Sequence, residues 1–170
     1  MFDYHQAFSR NIGWVTEQEQ SKLRQCKVAI AGAGGVGSAH LLTLSRLGIS
    51  HFSISDFDQF EIHNFNRQAG AMLSTIDQDK VEVMERLARD INPELEIDSY
   101  PQGIDASNVD AFLDGVDLYV DSLDFFALEA RKLIFAACTA KAIPIVTAAP
   151  LGMGGALLCF MPGKDQIMLD

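Results

Sequence analysis

The chain of 170 residues is 48% hydrophobic and 21% charged. These proportions are typical of one globular domain with an ample apolar core, and they exclude disordered and collagen-like classes. The formal net charge of −10 argues against a general nucleic-acid or membrane-surface binder, because both surfaces are polyanionic and would repel the protein.

The compartment and the role of the cysteines can also be predicted from composition. No apolar stretch reaches the roughly 18 residues of a membrane-spanning helix, and residues 1–5 lack the basic and apolar regions of a signal peptide. We therefore expect a cytoplasmic protein. Cys26, Cys138 and Cys159 are odd in number and widely spaced, which predicts core thiols rather than a disulfide framework or a zinc site.

Segments with strand and helix patterns alternate along the chain. A capping box, Thr16-x-x-Glu19, predicts a first helix that runs to about Arg24. Gly48 is expected to end the next helix, and Asp77 is the expected N-cap of the helix after it. The predicted strands cover residues 27–31, 51–55, 95–100, 118–120 and 144–148, and the later helices cover residues 35–47, 78–91, 107–113 and 126–140.

A glycine-rich turn lies between the first predicted strand and the helix that follows it. It contains Gly32, Gly34, Gly35 and Gly37. Glycines permit the tight turn and close backbone approach that a phosphate requires, and the following helix would direct its N-terminal N–H groups at the anion. The pattern predicts a nucleotide site, with a purely structural turn as the alternative. Alone it does not distinguish NAD from FAD, ATP or SAM.

The alternation of strands and helices with short connections predicts the fold class. Parallel strands need crossover connections, and helices supply them. We expect an α/β fold with a Rossmann-like, doubly wound and mostly parallel sheet that carries helices on both faces. We further expect two parts, an N-terminal helical segment over residues 1–25 and a nucleotide-binding domain over residues 26–170.

The last residues predict an interrupted hairpin. An apolar run over residues 156–161 is followed by a turn at 162–165 and by a short segment at 166–169. We therefore expect the 170 residues to be a fragment or an isolated domain of a longer protein.

Acidic residues follow the second predicted strand. Asp56 stands 24 residues after Gly32, about where a carboxylate accepts hydrogen bonds from a ribose. The ribose 2′-hydroxyl would then be free, because a carboxylate repels a phosphate at that position. A turn or helix cap is the alternative for Asp56, and Asp58 is expected to support the same loop.

Two basic residues come next along the chain. Arg67 and Lys80, if they converge near the glycine turn, would suit a triphosphate, whose charge exceeds that of a dinucleotide pyrophosphate. The alternative is an exposed Arg67 and a lysine on a helix face, paired with Asp79 or Glu82. Spacing alone does not decide between these possibilities.

Three further charged residues are candidates for the same site. Asp124 lies past the fourth predicted strand, where a carboxylate could hold a Mg²⁺ ion that bridges phosphate oxygens, and Asp121 competes for that role. Arg10 could reach a phosphate as a mobile cation, or it could be an exposed residue of a tail.

Six short motifs succeed one another over roughly residues 8–160. They are Arg10-Asn11, Gly32-x-Gly34-Gly35-x-Gly37, Asp56-x-Asp58, Asn64-x-x-Arg67-Gln68, Lys80-Val81-Glu82 and Asp121-x-x-Asp124. Together, in this order and spacing, they resemble the ThiF/MoeB/HesA family, the prokaryotic relatives of ubiquitin-activating E1 enzymes. As a set they are far more specific than the glycine turn.

The resemblance implies ATP-dependent adenylation. In that reaction the C-terminal glycine carboxylate of a ubiquitin-like or sulfur-carrier protein attacks ATP·Mg²⁺, which gives an acyl-adenylate and pyrophosphate. The implied nucleotide-binding residues are Gly32, Gly34, Gly35, Gly37, Asp56, Asp58, Asn64, Arg67, Gln68 and Lys80, with Asp124 as the Mg²⁺ ligand. Arg67, Lys80 and Asp124 would act in catalysis together with Arg10, which in the family comes from the partner subunit, so a homodimer is implied.

The sequence also departs from the family pattern. Phe125-Phe126 follows Asp124 where relatives usually place Asn, and residues 151–156 lack the Glu and Gln commonly seen there. No Cys-x-x-Cys pair occurs, so no zinc site is predicted. The sequence stops before the region where members of the family carry a thioester-forming cysteine, so a covalent thioester step is not assigned to these residues either.

Three alternatives remain open at this point. Within the same fold, the acceptor could be a tRNA or a small peptide, although the acidic charge makes tRNA less attractive. An NAD-dependent oxidoreductase would explain the glycine turn and Asp56 only. A non-catalytic scaffold is disfavoured because Arg10, Arg67, Lys80 and Asp124 are all present.

Overall fold

A six-stranded sheet forms the centre of the computed structural model, which describes residues 1–163. The strands are β1 (Lys27–Ala31), β2 (His51–Ser55), β3 (Glu96–Tyr100), β4 (Leu118–Asp121), β5 (Ile145–Leu151) and β6 (Gly154–Phe160). In the order β3-β2-β1-β4-β5-β6, the first five strands are parallel and β6 runs antiparallel to β5. The strand order reverses between β1 and β4, which confirms the predicted Rossmann-like α/β fold and marks the edge where ligands bind in such sheets.

Six α-helices accompany the strands over residues 1–163. They are α1 (Tyr4–Ala7), α2 (Glu17–Gln25), α3 (Gly35–Leu47), α4 (Lys80–Ile91), α5 (Val109–Phe112) and α6 (Leu128–Ala140). The predicted capping box is confirmed, because the Thr16 hydroxyl accepts from the Glu19 N–H and the Glu19 carboxylate accepts from the Thr16 N–H. None of the helices described over these residues is long and apolar enough to cross a membrane. The division of the chain at residue 25 stays a prediction.

Two apolar cores flank the sheet, one on each face. Side chains alternate along β1, so that Val28 and Ile30 join one core while Ala29 and Ala31 join the other. The first core includes residues of α3 and α4, and the second includes residues of α5 and α6. The helices therefore cover both faces, as the sequence predicts.

The start of α4 differs from the prediction. The helix begins at Lys80 rather than at residue 78, and Asp77 does not cap it. Asp77 instead adopts a positive φ of 61°, and backbone hydrogen bonds tie this stretch to the preceding loop, since Phe60 exchanges N–H and C=O bonds with Gln78 and Asp77. These non-local bonds delay the helix by two residues.

The end of β5 differs from the prediction. The strand continues to Leu151, three residues past the predicted end at residue 148, because it pairs with β6 as far as Gly154. The turn between the two strands contains Gly152, whose φ is 59°. The predicted turn at 162–165 and the segment at 166–169 extend beyond residue 163 and lie outside the described residues, so the interrupted hairpin stays a prediction.

The cysteines are not all core thiols. Cys138 is buried, and burial raises the pKa of its thiol to about 12 because the thiolate loses its hydration. Cys26 is half-buried, whereas Cys159 is exposed. The prediction is wrong for Cys159 because β6 is the edge strand and pairs only with β5.

Candidate active site at the carboxyl edge of the sheet

The glycine turn connects β1 to α3. Two of its glycines are needed for backbone packing, and the other two lie in a less crowded part of the turn. Gly32 has a φ of 93°, and a side chain there would overlap the backbone carbonyl of Ser122, which follows β4. A side chain on Gly37 would overlap the carbonyl of Gly32. Both glycines are therefore required for backbone packing, with or without a ligand.

Gly34 and Gly35 have more room. A Cβ at Gly34 would meet only the Gln68 Nε2 at 3.8 Å, and a Cβ at Gly35 would lie 3.4 Å from the Arg67 Cγ. Gly34 is also the N-cap of α3 and supplies no side-chain cap. The N–H groups of the first turn of α3 thus remain available to an anion, beside Arg67 and Gln68.

Asp56 holds the glycine turn from the end of β2. Its Oδ2 accepts from the Ala33 N–H at 2.6 Å and its Oδ1 accepts from the Asp58 N–H at 2.8 Å. The carboxylate is half-buried and carries further lone pairs. Asp56 therefore caps a turn, as the alternative interpretation predicts, and it also lies next to the glycine turn, as a ribose acceptor must.

Lys80 pairs with Asp58 rather than with its helix neighbours Asp79 or Glu82. The Lys80 Nζ lies 2.9 Å from the Asp58 Oδ2, and the Lys80 N–H donates to the Asp58 carbonyl at 3.0 Å. Only 7% of the Lys80 side chain is exposed, against 53% of Asp58. Asp58 consequently has a specific task, because it positions a nearly buried ammonium at the start of α4.

Asn64, Arg67 and Gln68 form one tight turn beside α3. Asn64 is buried, its Oδ1 accepts from the Glu61 N–H, and its carbonyl accepts from the N–H groups of Arg67 and Gln68. Its observed contacts are thus those of a turn-forming residue.

The side chains of Arg67 and Gln68 have unused hydrogen-bonding capacity. Arg67 donates to the His63 carbonyl and the Asn66 side chain, and within residues 1–163 no carboxylate lies at ion-pair distance from it. Gln68 is 7% exposed, and its Oε1 has no partner among the described groups. A buried amide oxygen without a partner is rare in native proteins, which is consistent with a site that a ligand completes.

The two acidic residues after β4 are in different environments. Asp121 is 2% exposed, and its Oδ2 lies 2.8 Å from the Arg131 Nε. Asp124 is exposed, and its Oδ1 accepts from the Phe126 N–H at 3.0 Å. Of the two candidates for a metal ligand, Asp124 therefore has the available oxygen, while Asp121 neutralises a cation. No group of three or more His, Cys, Asp or Glu that could hold a metal on its own occurs within residues 1–163.

Arg131 is a residue of this region that the sequence analysis did not identify. It also donates to the carbonyls of Leu123 and Asp124, at 2.9 and 3.2 Å. Backbone acceptors leave no spacing pattern in a sequence, so the only available signal was a basic residue in the first turns of a helix, where a cation is disfavoured by the helix dipole.

Arg10 does not join the other predicted residues. Its neighbour Asn11 donates to the carbonyl of Leu47, the last residue of α3, at 3.0 Å. The glycine turn lies at the opposite end of this helix of 13 residues, which is about 20 Å long. An arginine side chain cannot span that distance, so Arg10 cannot reach the glycine turn of its own chain.

The chain is similar to known proteins in both sequence and fold. A tRNA threonylcarbamoyladenosine dehydratase of Bacillus subtilis (strain 168) is 33% identical over 141 residues, which are 82% of this chain and 55% of the relative. A sulfur carrier protein ThiS adenylyltransferase of Escherichia coli (strain K12) is 29% identical over 147 residues, which are 86% and 58% of the two chains. The crystal structure of the E. coli tRNA N6-threonylcarbamoyladenosine dehydratase TcdA in complex with ATP matches with a TM-score of 0.79 and 28% identity, over 84% of this chain and 58% of that one.

The chain spans somewhat more than half the length of these three relatives. Its residues 8–170 match the ThiF family, which is nearly the whole sequence. The chain belongs to the ThiF family.

Proposed function

We propose that this protein is an ATP-dependent adenylyltransferase that activates the C-terminal carboxylate of a ubiquitin-like or sulfur-carrier protein. The observation that carries the proposal is the grouping of uncapped helix N–H groups, an unpaired guanidinium and a nearly buried ammonium at one edge of the sheet. A triphosphate needs this density of positive charge, whereas a dinucleotide pyrophosphate does not. The adenylyltransferase name of one relative and the ATP complex of another support it.

The nucleotide would lie along the glycine turn. Gly34 and Gly35 leave space for phosphates at the start of α3, and Asp56 would accept hydrogen bonds from the ribose hydroxyls. Arg67, Gln68 and Lys80 would contact phosphate oxygens. Gly32 and Gly37 hold the turn against the backbone, and Asn64 holds the turn that carries Arg67.

Asp124 fits the role of a Mg²⁺ ligand. Mg²⁺ in nucleotide sites is usually held by one or two carboxylates together with phosphate oxygens and water. Asp124 offers one exposed carboxylate, whereas Asp121 is already neutralised. When bound, the ion would neutralise part of the negative charge of the phosphates.

The residues of the site suit a reaction without a general base. An acceptor carboxylate has no proton to lose at neutral pH, so its oxygen forms a bond to the α-phosphorus while the bond from that phosphorus to the bridging oxygen breaks and pyrophosphate leaves. The protein must position the reactants and stabilise negative charge on the α-phosphate and the leaving group. Arg67 and Lys80 can do the latter, and Asp58 keeps Lys80 in place.

The position of Arg10 leads us to include a homodimer in the proposal. Arg10 lies at the far end of α3 from the glycine turn of its own chain. If it acts on a nucleotide, that nucleotide must be bound to a second copy, where the guanidinium would supply a further positive charge. We place the protein in the cytoplasm as part of the same proposal.

The test is exchange of radiolabelled pyrophosphate into ATP in the presence of Mg²⁺ and a carrier protein that ends in Gly-Gly. We expect exchange by the wild type and its abolition by Asp124→Ala or Arg67→Ala, while Arg86→Ala, an exposed cation on α4, leaves the rate unchanged. Wild-type rates in both site variants would contradict the site assignment.

The substrate alternatives are separated by the same assay. Exchange that requires tRNA instead of the carrier would favour the reaction class named for two of the relatives, although the net charge of −10 disfavours a polyanionic acceptor. Tighter binding of NAD than of ATP in calorimetry would favour an oxidoreductase. Absence of binding by either nucleotide would indicate a scaffold.

A further inference from the structure

The segment that carries Asp124 is held by a single side chain. Arg131 donates from its Nε to the Asp121 carboxylate at 2.8 Å, and from its terminal nitrogens to three backbone carbonyls. These carbonyls belong to Leu123, Asp124 and Phe125, at 2.9, 3.2 and 3.3 Å. Four acceptors on residues 121–125 thus converge on one guanidinium.

The other interactions of this segment lie at its two ends, where the Ser122 N–H donates to the Ala31 carbonyl and the Ala127 N–H donates to the Asp124 carbonyl, both at 3.0 Å. Phe125 and Phe126 are 72% and 84% exposed, so burial of apolar surface does not fix their positions. No side chain caps the N-terminus of α6. Within residues 1–163, the carbonyls of Leu123 and Phe125 accept hydrogen bonds from Arg131 alone.

The local electrostatics indicate that Arg131 is placed to hold the backbone of residues 121–125. It lies near the N-terminus of α6, where the helix dipole disfavours a cation. The Asp121 carboxylate, whose side chain is 1% exposed, compensates for this and restrains the guanidinium. A planar group with five donors can bond several carbonyls and a carboxylate at once, whereas a lysine ammonium has three donors on one atom.

We propose that Arg131 is a positioning residue: it holds the backbone of residues 121–125 so that the carboxylate of Asp124 faces the Mg²⁺ and phosphates of a bound nucleotide. The inference rests on the proposed function. It adds that the pair Asp121–Arg131 acts through the backbone of residues 121–125 and so determines how well Asp124 binds the ion. The carbonyls of this segment bond inward to Arg131, while the Asp124 side chain is exposed.

Hydrogen–deuterium exchange of the free protein tests the restraint. We expect the amides of residues 122, 123, 126 and 127, which donate hydrogen bonds in the folded protein, to exchange about tenfold faster in Arg131→Gln, because the segment loses the bonds that Arg131 makes to it. Lys132→Gln is the matched control, since Lys132 is the adjacent cation, is 73% exposed and, within residues 1–163, pairs only with Glu129 on the same helix. Unchanged exchange in Arg131→Gln would overturn the proposal.

The Mg²⁺ dependence of ATP binding, measured by calorimetry without an acceptor, tests the consequence. We expect the Mg²⁺ concentration for half-maximal binding to rise about tenfold in Arg131→Gln, with ATP affinity in the absence of Mg²⁺ unchanged. Arg131→Lys should retain the charge and most of the thermal stability, but its half-maximal Mg²⁺ concentration should still be higher than that of the wild type. Asp124→Asn should shift the Mg²⁺ dependence without altering amide exchange, which distinguishes the ligand from the residue that positions it.

The outcomes separate this inference from the proposed function. ATP binding with an unchanged Mg²⁺ dependence in Arg131→Gln contradicts the positioning role alone. A wild-type protein that binds no ATP contradicts both proposals. If Arg131→Gln does not fold, Asp121→Asn serves as the second variant, because it keeps the shape of the side chain and removes the charge that restrains Arg131; a wild-type Mg²⁺ dependence in Asp121→Asn would then overturn the proposal.

Discussion

The segments that follow β2 and β4 are held in opposite ways. After β2, the carboxylate of Asp56 accepts from two backbone N–H groups, those of Ala33 and Asp58. After β4, the guanidinium of Arg131 donates to backbone carbonyls, including that of Leu123. A carboxylate offers only acceptors and a guanidinium only donors, so the polarity of the inward-facing peptide groups decides which kind of side chain each segment needs.

This difference determines which acidic residue remains available at each strand end. In the segment after β2, Asp58 is paired with Lys80. In the segment after β4, Asp121 is paired with Arg131 and Asp124 is left without a cation at ion-pair distance among residues 1–163. In the Asp-x-Asp pattern the second carboxylate is therefore the one paired with a cation, whereas in the Asp-x-x-Asp pattern it is the first.

The largest expected effect contrasts the two ion pairs. Arg131→Met leaves the Asp121 carboxylate, whose side chain is 1% exposed, buried without its cation and should lower the free energy of unfolding by about 3 kcal/mol. Lys80→Met should lower it by only about 1 kcal/mol, because the Asp58 carboxylate that is left behind is 53% exposed and stays hydrated. Urea denaturation measures both, with Glu129→Ala, whose side chain is 92% exposed, as the control. Equal losses for the two cation variants would refute the contrast.

An intermediate effect is expected at alkaline pH and arises at Tyr119, within β4. Burial, followed by the nearby Asp121 charge, raises the pKa of Tyr119 well above its ordinary value of 10.0. Because the folded state binds this proton more tightly, the stabilisation is fully present below pH 10 and is lost as the pH rises above it, by up to about 1.4 kcal/mol per pH unit.

Tyr119→Phe removes this contribution and isolates it from the other tyrosines. Urea midpoints measured from pH 9 to pH 11 should fall less steeply in Tyr119→Phe than in the wild type. Tyr4 and Tyr100, whose pKa values are also raised by burial, contribute equally to both proteins. Parallel curves would show that Tyr119 does not make the β4 end sensitive to alkali.

The smallest expected effect on stability is at Asp124. Asp124→Asn should change the free energy of unfolding by less than about 0.5 kcal/mol, because the residue is exposed and an amide oxygen can still accept from the Phe126 N–H. Thermal and urea unfolding measure this directly. A loss as large as that of Arg131→Met would mean that Asp124 holds the segment rather than being presented by it.

The architecture of the sheet could be predicted from sequence because it depends on local patterns. The continuous apolar run of β1, which is buried on both faces of the sheet, and the glycine that ends α3 are both visible in the chain. The start of α4 could not be predicted, because the hydrogen bonds that delay it come from Phe60, in a loop distant in sequence. The extension of β5 depends in the same way on its pairing with β6.

The candidate site was predictable to the extent that its residues follow strand ends. Asp56, Lys80 and Asp124 lie at the edge of the sheet where the motifs suggest. The partner of Lys80 was not predictable, since spacing reports only neighbours on one helix and Asp58 is 22 residues away. Arg131 was missed because most of its partners are backbone carbonyls, which every residue type provides.

The close contact between Gly32 and the Ser122 carbonyl limits what the glycine pattern can reveal about relatives of this protein. Gly32 and Gly37 are required by the backbone of the folded chain itself, whereas a Cβ at Gly34 or Gly35 would come no closer than 3.4 Å to its neighbours Gln68 and Arg67. A descendant that had lost its nucleotide could therefore replace Gly34 or Gly35 at much lower cost, yet would still keep Gly32 and Gly37 in order to fold. In sequences of such descendants, the second and third glycines of the motif, rather than the first and last, should record whether a ligand is still bound.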